Sequence, residues 1–200
     1  TVELLAEILE TEDFEVWKAF SAGEARTLLA RADADLLVAD LSVAGERLVE
    51  LLNEGQRARS RRHPQVVAVA MSQDDPQLML ALRIGAHGYF IHGSPVRALL
   101  GVIHQVLAGE SPMSASIARR LKVHLPRPAG QPGSHFDAEQ EPALTAADHQ
   151  LLDRVSQGYL SHEIAREMQT SERGVGLRAR SLYAKLQLEF RSRVPLKQAG

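Results

Sequence analysis

The stretch DLLVADLSVAG, residues 35–45, is an apolar run that ends at an acidic residue, Asp40, and continues into small and turn-forming residues. A short apolar run beside turn signals is typical of a strand that is buried in a sheet. Comparable runs occur on both sides of it and alternate with segments of helical period. Because strands separated by helices pair in parallel and are covered on both faces, the pattern predicts a doubly wound α/β domain. Ligands of such a domain bind at the carboxyl ends of the strands, where Asp40 would lie.

The remaining elements of this domain are predicted from the same apolar periodicity. The predicted helices are VELLAEIL (2–9), GEARTLLARA (23–32), a segment from about Gly45 to Ser60, PQLMLALRIG (76–85) and PVRALLGVIHQVLAG (95–109). The predicted strands are EVWKAF (15–20), LLVAD (36–40), QVVAVAM (65–71) and GYFI (88–91). After them, PRPAGQPGSHFDAEQEP (126–142) contains four prolines and no apolar period, which predicts a flexible linker.

Composition and charge limit the function classes. The 200 residues suit one or two domains, and the hydrophobic fraction of 44% is ordinary for a globular protein. The absence of cysteine excludes disulfides and cysteine-ligated zinc. The sequence shows no membrane span and no leader, so we expect a cytoplasmic protein without a membrane partner. Residues 144–200 carry nine Lys and Arg against six Asp and Glu in an otherwise acidic chain, which points to contact with nucleic acid.

Four motifs in the first 110 residues resemble the receiver domain of bacterial response regulators of the NarL/FixJ type: DLLVADLSVAG, VVAVAMSQDD, LRIGAHGYFIHGSP and VIHQVLAGE. The resemblance implies that Asp40 is the aspartate that accepts a phosphoryl group. It also implies three helpers for that chemistry. These are a Mg²⁺ ion held by an acidic pair after the first strand, a lysine after the fifth strand, and a threonine or serine after the fourth.

The sequence departs from the family at each of these helpers. The first strand and its acidic pair do not appear, so Mg²⁺ is predicted only if an acidic pair exists upstream of Thr1. His92 stands where the lysine is expected, and an imidazole is a poor substitute for a permanent ammonium. Ser72 comes one residue after the hydroxyl position, and strand alternation turns it to the other face. Tyr89 matches the aromatic residue that the family uses as a switch reporter.

Two interpretations of the receiver stay open. In the first, it is atypical and is not switched by ordinary aspartyl phosphorylation, so that activity follows protein abundance, a small ligand, or a protein partner bound around Tyr89. In the second, the chain is a phosphorylation-switched two-component response regulator that uses Asp40. A metal or hydrolase site on Asp40 and His92 is disfavoured, because two ligand types without a third complete neither. We predict no enzyme, since the sequence shows no nucleophile–base pair and no phosphate-binding glycine loop.

Residues 144–193 resemble the LuxR-type helix-turn-helix domain over nearly their whole length. Thr145 and Asp148 predict a capping box that begins the first helix. Ser161 is predicted to cap the second helix, SHEIAREM. Thr170 or Ser171 is predicted to begin the third. The third helix has apolar residues at steps of four, three and four, which predicts its buried face: Val175, Ala179, Leu182 and Leu186.

By resemblance, the third helix is the recognition helix that enters the major groove of DNA. The implied DNA-binding residues are Ser161, His162, Arg173, Gly176, Leu177, Arg178, Arg180 and Lys185. The family usually has Thr-Val-Lys where this chain has Gly174-Val175-Gly176. Each glycine inside a helix costs about 1 kcal/mol relative to alanine, and Gly176 removes a basic contact. These glycines motivate an alternative function, a protein-binding adaptor with a degenerate helix-turn-helix.

The sequence therefore predicts a receiver-like domain at 1–110, an interdomain helix and flexible linker at 111–143, and a helix-turn-helix domain at 144–200. The interdomain helix is SASIARRLKVHL (114–125). The predicted function is a sequence-specific transcription regulator that binds half-sites in double-stranded DNA as a homodimer. By resemblance, regulators whose receiver is altered in this way are associated with developmental programmes in bacteria.

Overall fold

The computed structural model of the chain describes residues 2–44, 64–124 and 144–193. The chain divides into two compact units, Thr1–Gly109 and Glu110–Gly200. The helix predicted from about residue 45 to residue 60 and the linker predicted at 126–142 lie outside the described residues. None of the helices that are described is both long and apolar enough to cross a membrane.

The described part of the first unit contains a parallel sheet of three strands in the order β1-β2-β3. The strands are β1 (Leu36–Asp40), β2 (Gln65–Ala70) and β3 (Gly88–Ile91). The helices are α1 (Val2–Thr11), α2 (Ala22–Arg31), α3 (Leu41–Ala44), α4 (Pro76–Ile84) and α5 (Val96–Leu107). In the register of the sheet, Asp40 lies beside Val69 and Ala70 beside Ile91. The carboxyl ends of β1 and β3 therefore flank the end of β2.

The central strand β2 is buried on both faces of the sheet. Val67 and Val69 pack in one cluster with residues of α1, β3 and α5, namely Leu9, Phe90, Leu99, Ile103 and Val106. Val66 and Ala68, which point to the opposite face, are equally buried. A strand buried on both faces needs a continuous apolar run, which explains the sequence VVAVA. The α/β fold class predicted for this part of the chain is confirmed.

The predicted strand EVWKAF is wrong, because residues 15–20 form no strand. Residues 15–19 and all of β1 line one cavity of about 590 Å³. The segment and the edge strand of the described sheet thus face a common cavity instead of pairing with each other. Trp17 and Phe20, which alternation would have placed on opposite faces, are both half-exposed. A β-type sequence forms a strand only where a partner lies within hydrogen-bonding distance.

The described part of the second unit is all-α, which confirms the predicted class of the helix-turn-helix domain. Its helices are α6 (Ala115–His124), α7 (Ala146–Gln157), α8 (Ser161–Glu167) and α9 (Glu172–Arg193). Helix α6, predicted as an interdomain helix, packs against α7 and belongs to this unit. Arg119 Nε donates to the carbonyl of Ser156 over 3.1 Å. The finer domain boundaries at 110 and 143 stay a prediction.

Local signals fix where α7 and α9 begin. The Thr145 amide donates to Asp148 Oδ2 over 2.9 Å, and the Asp148 amide donates to Thr145 Oγ1 over 3.2 Å, so the predicted capping box is present. Ser171 precedes α9, and its hydroxyl oxygen accepts from the Gly174 amide at 3.0 Å. The predicted inner face of α9 is buried at every position: Val175, Ala179, Leu182 and Leu186.

The predicted cap of α8 is wrong by one residue. Leu160 is the N-cap, and the helix begins at Ser161. The Glu163 carboxylate reaches back and accepts the Leu160 amide at 2.8 Å. This bond pairs the amide of the N-cap residue, while Ser161 lies one position inside the helix and is exposed.

Candidate phosphoryl-acceptor site and nucleic-acid interface

Asp40 and His92 meet at the carboxyl edge of the sheet. Asp40 ends β1, and His92 directly follows β3. With β2 between them, the two strands are about 10 Å apart, and the two side chains span this gap. His92 Nε2 lies 3.3 Å from Asp40 Oδ2. Because a carboxylate only accepts hydrogen bonds, Nε2 carries the proton and donates it.

The second oxygen of Asp40 is also occupied. Oδ1 accepts the Ser42 amide at 2.9 Å and the Ser42 hydroxyl at 2.6 Å. The side chain of Asp40 is 9% exposed, and that of His92 is 26% exposed. Burial raises the pKa of Asp40, but the hydrogen bonds from Ser42 and His92 outweigh it and hold the pKa below its usual value. Asp40 is therefore a carboxylate at neutral pH with hydrogen bonds to both oxygens.

The other two predicted switch positions differ in burial. Ser72 comes after the end of β2 and is exposed, whereas Tyr89 is buried within β3. Residues 2–44, 64–124 and 144–193 contain no group of three acidic or histidine side chains that could hold a metal ion together. Mg²⁺ prefers carboxylate and water oxygens in an octahedral arrangement. Asp40, with both oxygens hydrogen-bonded, does not make such a site with the described residues.

In the second unit, α8 and α9 form the helix-turn-helix. Gln169, in the turn between them, has a φ of +51°. Of the predicted DNA-binding residues, Ser161 and His162 are exposed at the start of α8. Arg173 and Leu177 are exposed on the N-terminal half of α9. A cation, a hydroxyl and an imidazole in these places suit contacts with phosphate oxygens, which position a helix in the groove.

Two predicted DNA-binding cations bind a buried carboxylate of their own unit. Lys185 Nζ donates to Asp148 Oδ2, and Arg178 Nη1 lies 3.7 Å from Asp148 Oδ1. The side chain of Asp148 is 2% exposed. Burial raises its pKa, but the hydrogen bonds from Lys185 and Thr145 outweigh it and leave the pKa below the usual value. Arg178 and Lys185 therefore tie α9 to the start of α7.

The last two predicted DNA-binding positions are less accessible. A Cβ at Gly176 would lie 2.7 Å from Glu110 Oε2 and 2.9 Å from Glu110 Cβ. The Gly176 carbonyl accepts the Ser111 amide at 3.0 Å. Arg180 is half-buried, and this burial lowers the pKa of its guanidinium. The segment before α6 thus occupies the place where the family resemblance implies a basic side chain.

Three features of these sites are missing from the sequence-based predictions: Ser42 at Asp40, the pairing of Asp148 with Lys185, and Glu110 at Gly176. For Ser42 a local signal exists, because an aspartate commonly accepts from the backbone amide two residues later. The other two contacts join residues far apart in the chain, and no local sequence pattern predicts them.

Comparisons with known proteins agree with this architecture. No family model matches the chain. The nitrate/nitrite response regulator NarL of Escherichia coli K12 is 28% identical over 173 residues, which cover 86% of this chain and 76% of NarL. NarP of the same strain is 26% identical over 178 residues, which cover 88% of this chain and 78% of NarP. These similarities indicate a NarL/FixJ-type response regulator.

A solved structure extends the likeness to the fold. The response regulator RcsB, in a complex with DNA, superposes with a TM-score of 0.50 at 18% identity, covering 97% of this chain and 93% of RcsB. The fold that the NarL/FixJ-type motifs imply, a receiver followed by a helix-turn-helix domain, is thereby confirmed. The roles of Asp40, His92 and the individual residues of α9 in this chain stay predictions.

Proposed function

We propose that this response regulator is a sequence-specific DNA-binding transcription regulator whose receiver is not switched by ordinary aspartyl phosphorylation. The observation that carries the proposal is the arrangement at Asp40, where one carboxylate oxygen accepts from Ser42 and the other from His92, the residue that stands at the lysine position. A carboxylate that attacks phosphorus needs an accessible lone pair and a cation that neutralises the phosphoryl oxygens. The described residues supply His92 in place of a permanent cation.

Helices α8 and α9 support the DNA-binding half of the proposal. They carry exposed residues of the types that contact DNA, Ser161, His162 and Arg173, beside the exposed Leu177. Apolar side chains at such positions contact the thymine methyl group in the major groove. RcsB, which has the same fold, is known in a complex with DNA.

Regulation and assembly complete the proposal. A homodimer with two-fold symmetry would place two recognition helices on paired half-sites. Without phosphoryl transfer, activity follows protein abundance, a small ligand, or a protein partner on the face of the receiver around Tyr89. A role in a developmental programme stays a prediction from the family resemblance.

The test starts with selection of bound duplexes from a random DNA pool by the full chain. The affinity for the enriched duplex is then measured against salt concentration, with and without a small-molecule phosphodonor such as acetyl phosphate. We expect specific binding with a steep salt dependence and no effect of the donor. Arg173→Ala should lower the affinity about tenfold and reduce the salt slope by about one, because one phosphate contact is lost.

The matched control is Arg97→Ala, which removes an exposed cation at the start of α5 and should leave the affinity unchanged. Donor-stimulated binding that Asp40→Asn abolishes would show that Asp40 is a phosphoryl acceptor, and the first interpretation of the receiver would be wrong. If no sequence is enriched from the pool and the residual DNA binding does not depend on salt concentration, the protein-binding adaptor is favoured.

A further inference from the structure

One face of α9 is occupied by the segment that precedes α6. Arg173, Gly176 and Arg180 are three and four residues apart, so they share this face, and Tyr183 continues it by another three. Residues 110–112, hereafter the covering segment, contact this face at three of these four positions. Two of the four cations predicted to contact DNA, Arg173 and Arg180, therefore lie on the face that the covering segment already uses.

The contacts of the covering segment are specific. Glu110 Oε1 lies 3.8 Å from Arg173 Nε. The Ser111 amide donates to the Gly176 carbonyl at 3.0 Å, and Ser111 is 3% exposed. The hydroxyl of the fully buried Tyr183 donates to the Pro112 carbonyl at 2.8 Å. Three consecutive residues are thus held by three positions spread over about three turns of the helix.

Gly176 makes this approach possible. Three atoms of the Glu110 side chain would lie between 2.7 and 3.1 Å from a Cβ at this position. Any other residue would have to push Glu110 away. Glycine is otherwise the least favourable helix residue except proline, so the close approach of Glu110 gives its presence inside α9 a physical reason.

Glu110 also has the wrong charge for a DNA-binding surface. Its side chain is 15% exposed and lies next to Arg173. Arg173 is more exposed than Arg178, another predicted DNA-binding cation that pairs with an acidic residue. A carboxylate at this position repels the phosphate backbone and neutralises part of the charge that would attract it. The covering segment thus blocks the face sterically and electrostatically.

We propose that the covering segment and a DNA duplex compete for the same face of α9, and that Gly176 is the residue that lets the segment dock there. This inference rests on the proposed DNA binding. It assigns Gly176 a role that differs from loss of function: the residue is a docking position for residues 110–112 rather than a decayed DNA contact.

Docking is tested without DNA, by hydrogen exchange of the Ser111 amide in the full chain, followed by NMR. In the wild type we expect protection, since this amide is buried and hydrogen-bonded. Gly176→Ala adds a methyl group against Glu110 and should lower the protection of Ser111 by about tenfold. Glu110→Gly removes every atom that contacts that methyl group, so the double variant should recover protection relative to Gly176→Ala.

Competition is tested with a random-sequence DNA duplex at low salt. Saturation of the wild type with this duplex should abolish the protection of the Ser111 amide, while the buried Leu182 amide of α9 stays protected. Glu110→Gly should raise the affinity about threefold to tenfold, because it removes both the charge and the contact. A Ser111 amide that remains fully protected in the saturated complex overturns the competition.

Three controls separate the explanations. Gly101→Ala, where an added Cβ meets open space, should change neither exchange nor affinity. Glu172→Gln removes an exposed acidic residue from the start of α9 and leaves the covering segment unchanged. If it raises the affinity for DNA as much as Glu110→Gly does, charge alone explains the gain and competition by the segment does not. If no variant binds the duplex, the proposed DNA binding and the competition are both wrong, while Ser111 still reports whether the segment docks.

Discussion

Asp40 and Asp148 are two nearly buried carboxylates, one in each unit. Burial raises the pKa of both, yet both have a pKa below the usual value because of their hydrogen bonds. Their partners differ. Asp148 is held by the cations Lys185 and Arg178 and by the capping box of α7. Asp40 is held by Ser42 and by His92.

The difference separates a structural carboxylate from one that can change partners. Lys185 and Arg178 contact Asp148 through an ammonium and a guanidinium, which are donors only, so removing Asp148 removes the buried anion that both contact. The hydroxyl of Ser42 and the imidazole of His92 can each reorient, because both contain a donor and an acceptor. Asp40 also lies at a strand end, where doubly wound domains place their functional residues. We therefore expect the two carboxylates to respond differently to the same substitutions.

The largest effect is expected for Asp148→Ala. The substitution removes an anion from a buried ion pair and one half of a capping box, and should lower the free energy of unfolding of the second unit by about 3 kcal/mol. Native-state hydrogen exchange of the Leu151 and Leu182 amides measures this loss, with the Val67 amide of the first unit as an internal reference. Stability within about 0.5 kcal/mol of wild type would mean that the ion pair contributes nothing net.

The matched control is Asp153→Ala in the same helix. Asp153 pairs with Lys122, but half of its side chain is exposed to solvent. Exposed pairs contribute between nothing and about 1 kcal/mol, so the loss should be far smaller than for Asp148→Ala. Equal losses at the two positions would show that burial is not the cause.

The second prediction concerns pH. The pKa of Asp148 is lowered in the folded chain, so its contribution is fully present above the unfolded value of about 3.9 and is lost as the pH falls through the folded value. The difference in stability between wild type and Asp148→Asn should thus be constant between about pH 5 and 7 and shrink below about pH 4. The same exchange experiment, repeated down to acid pH, measures it. A difference that grows on acidification would contradict a lowered pKa.

The third prediction is a smaller effect at the other carboxylate. Asp40→Asn keeps an oxygen that can accept from Ser42, and the imidazole of His92 can present its unprotonated nitrogen to the new amide group. The free energy of unfolding of the first unit should fall by about 1 kcal/mol or less. Exchange of the Val67 amide measures the loss. A loss of unfolding free energy as large as that expected for Asp148→Ala would show that Asp40 is a structural residue. The two carboxylates would then not differ in role.

The sequence was sufficient where the structure is set by local patterns. The capping box of Thr145 and Asp148, and the four buried residues of α9, follow from spacing within one or two helical turns. The meeting of Asp40 and His92 was also predictable, because parallel strands bring their carboxyl ends to one edge of the sheet. These features depend on the period of a helix or on the order of the strands.

The features that could not be predicted depend on partners distant in the chain. Residues 15–20 have a strand-like sequence but no pairing partner among the described residues. Lys185 has the spacing of an exposed basic residue, yet it binds Asp148, 37 residues away. Gly176 is a helix-weakening residue by propensity, and its fit becomes clear only with Glu110 beside it. In each case tertiary contact overrides a local preference.

The smallest effect is expected for Ser42→Ala, which tests how the pKa of Asp40 is set. The substitution removes the hydroxyl donor to Oδ1 but keeps the backbone amide and His92, so the pKa of Asp40 should rise toward its usual value with little change in stability. A carbon-13 NMR titration of the side-chain carboxyl measures the shift, with Ser72→Ala as the control at an exposed serine after the neighbouring strand. If Ser42→Ala leaves the pKa where it is, the remaining donors set it alone. The hydrogen bond from His92, at 3.3 Å, would then contribute more to the lowered pKa of Asp40 than the Ser42 hydroxyl does. The next substitution to make would be His92→Gln.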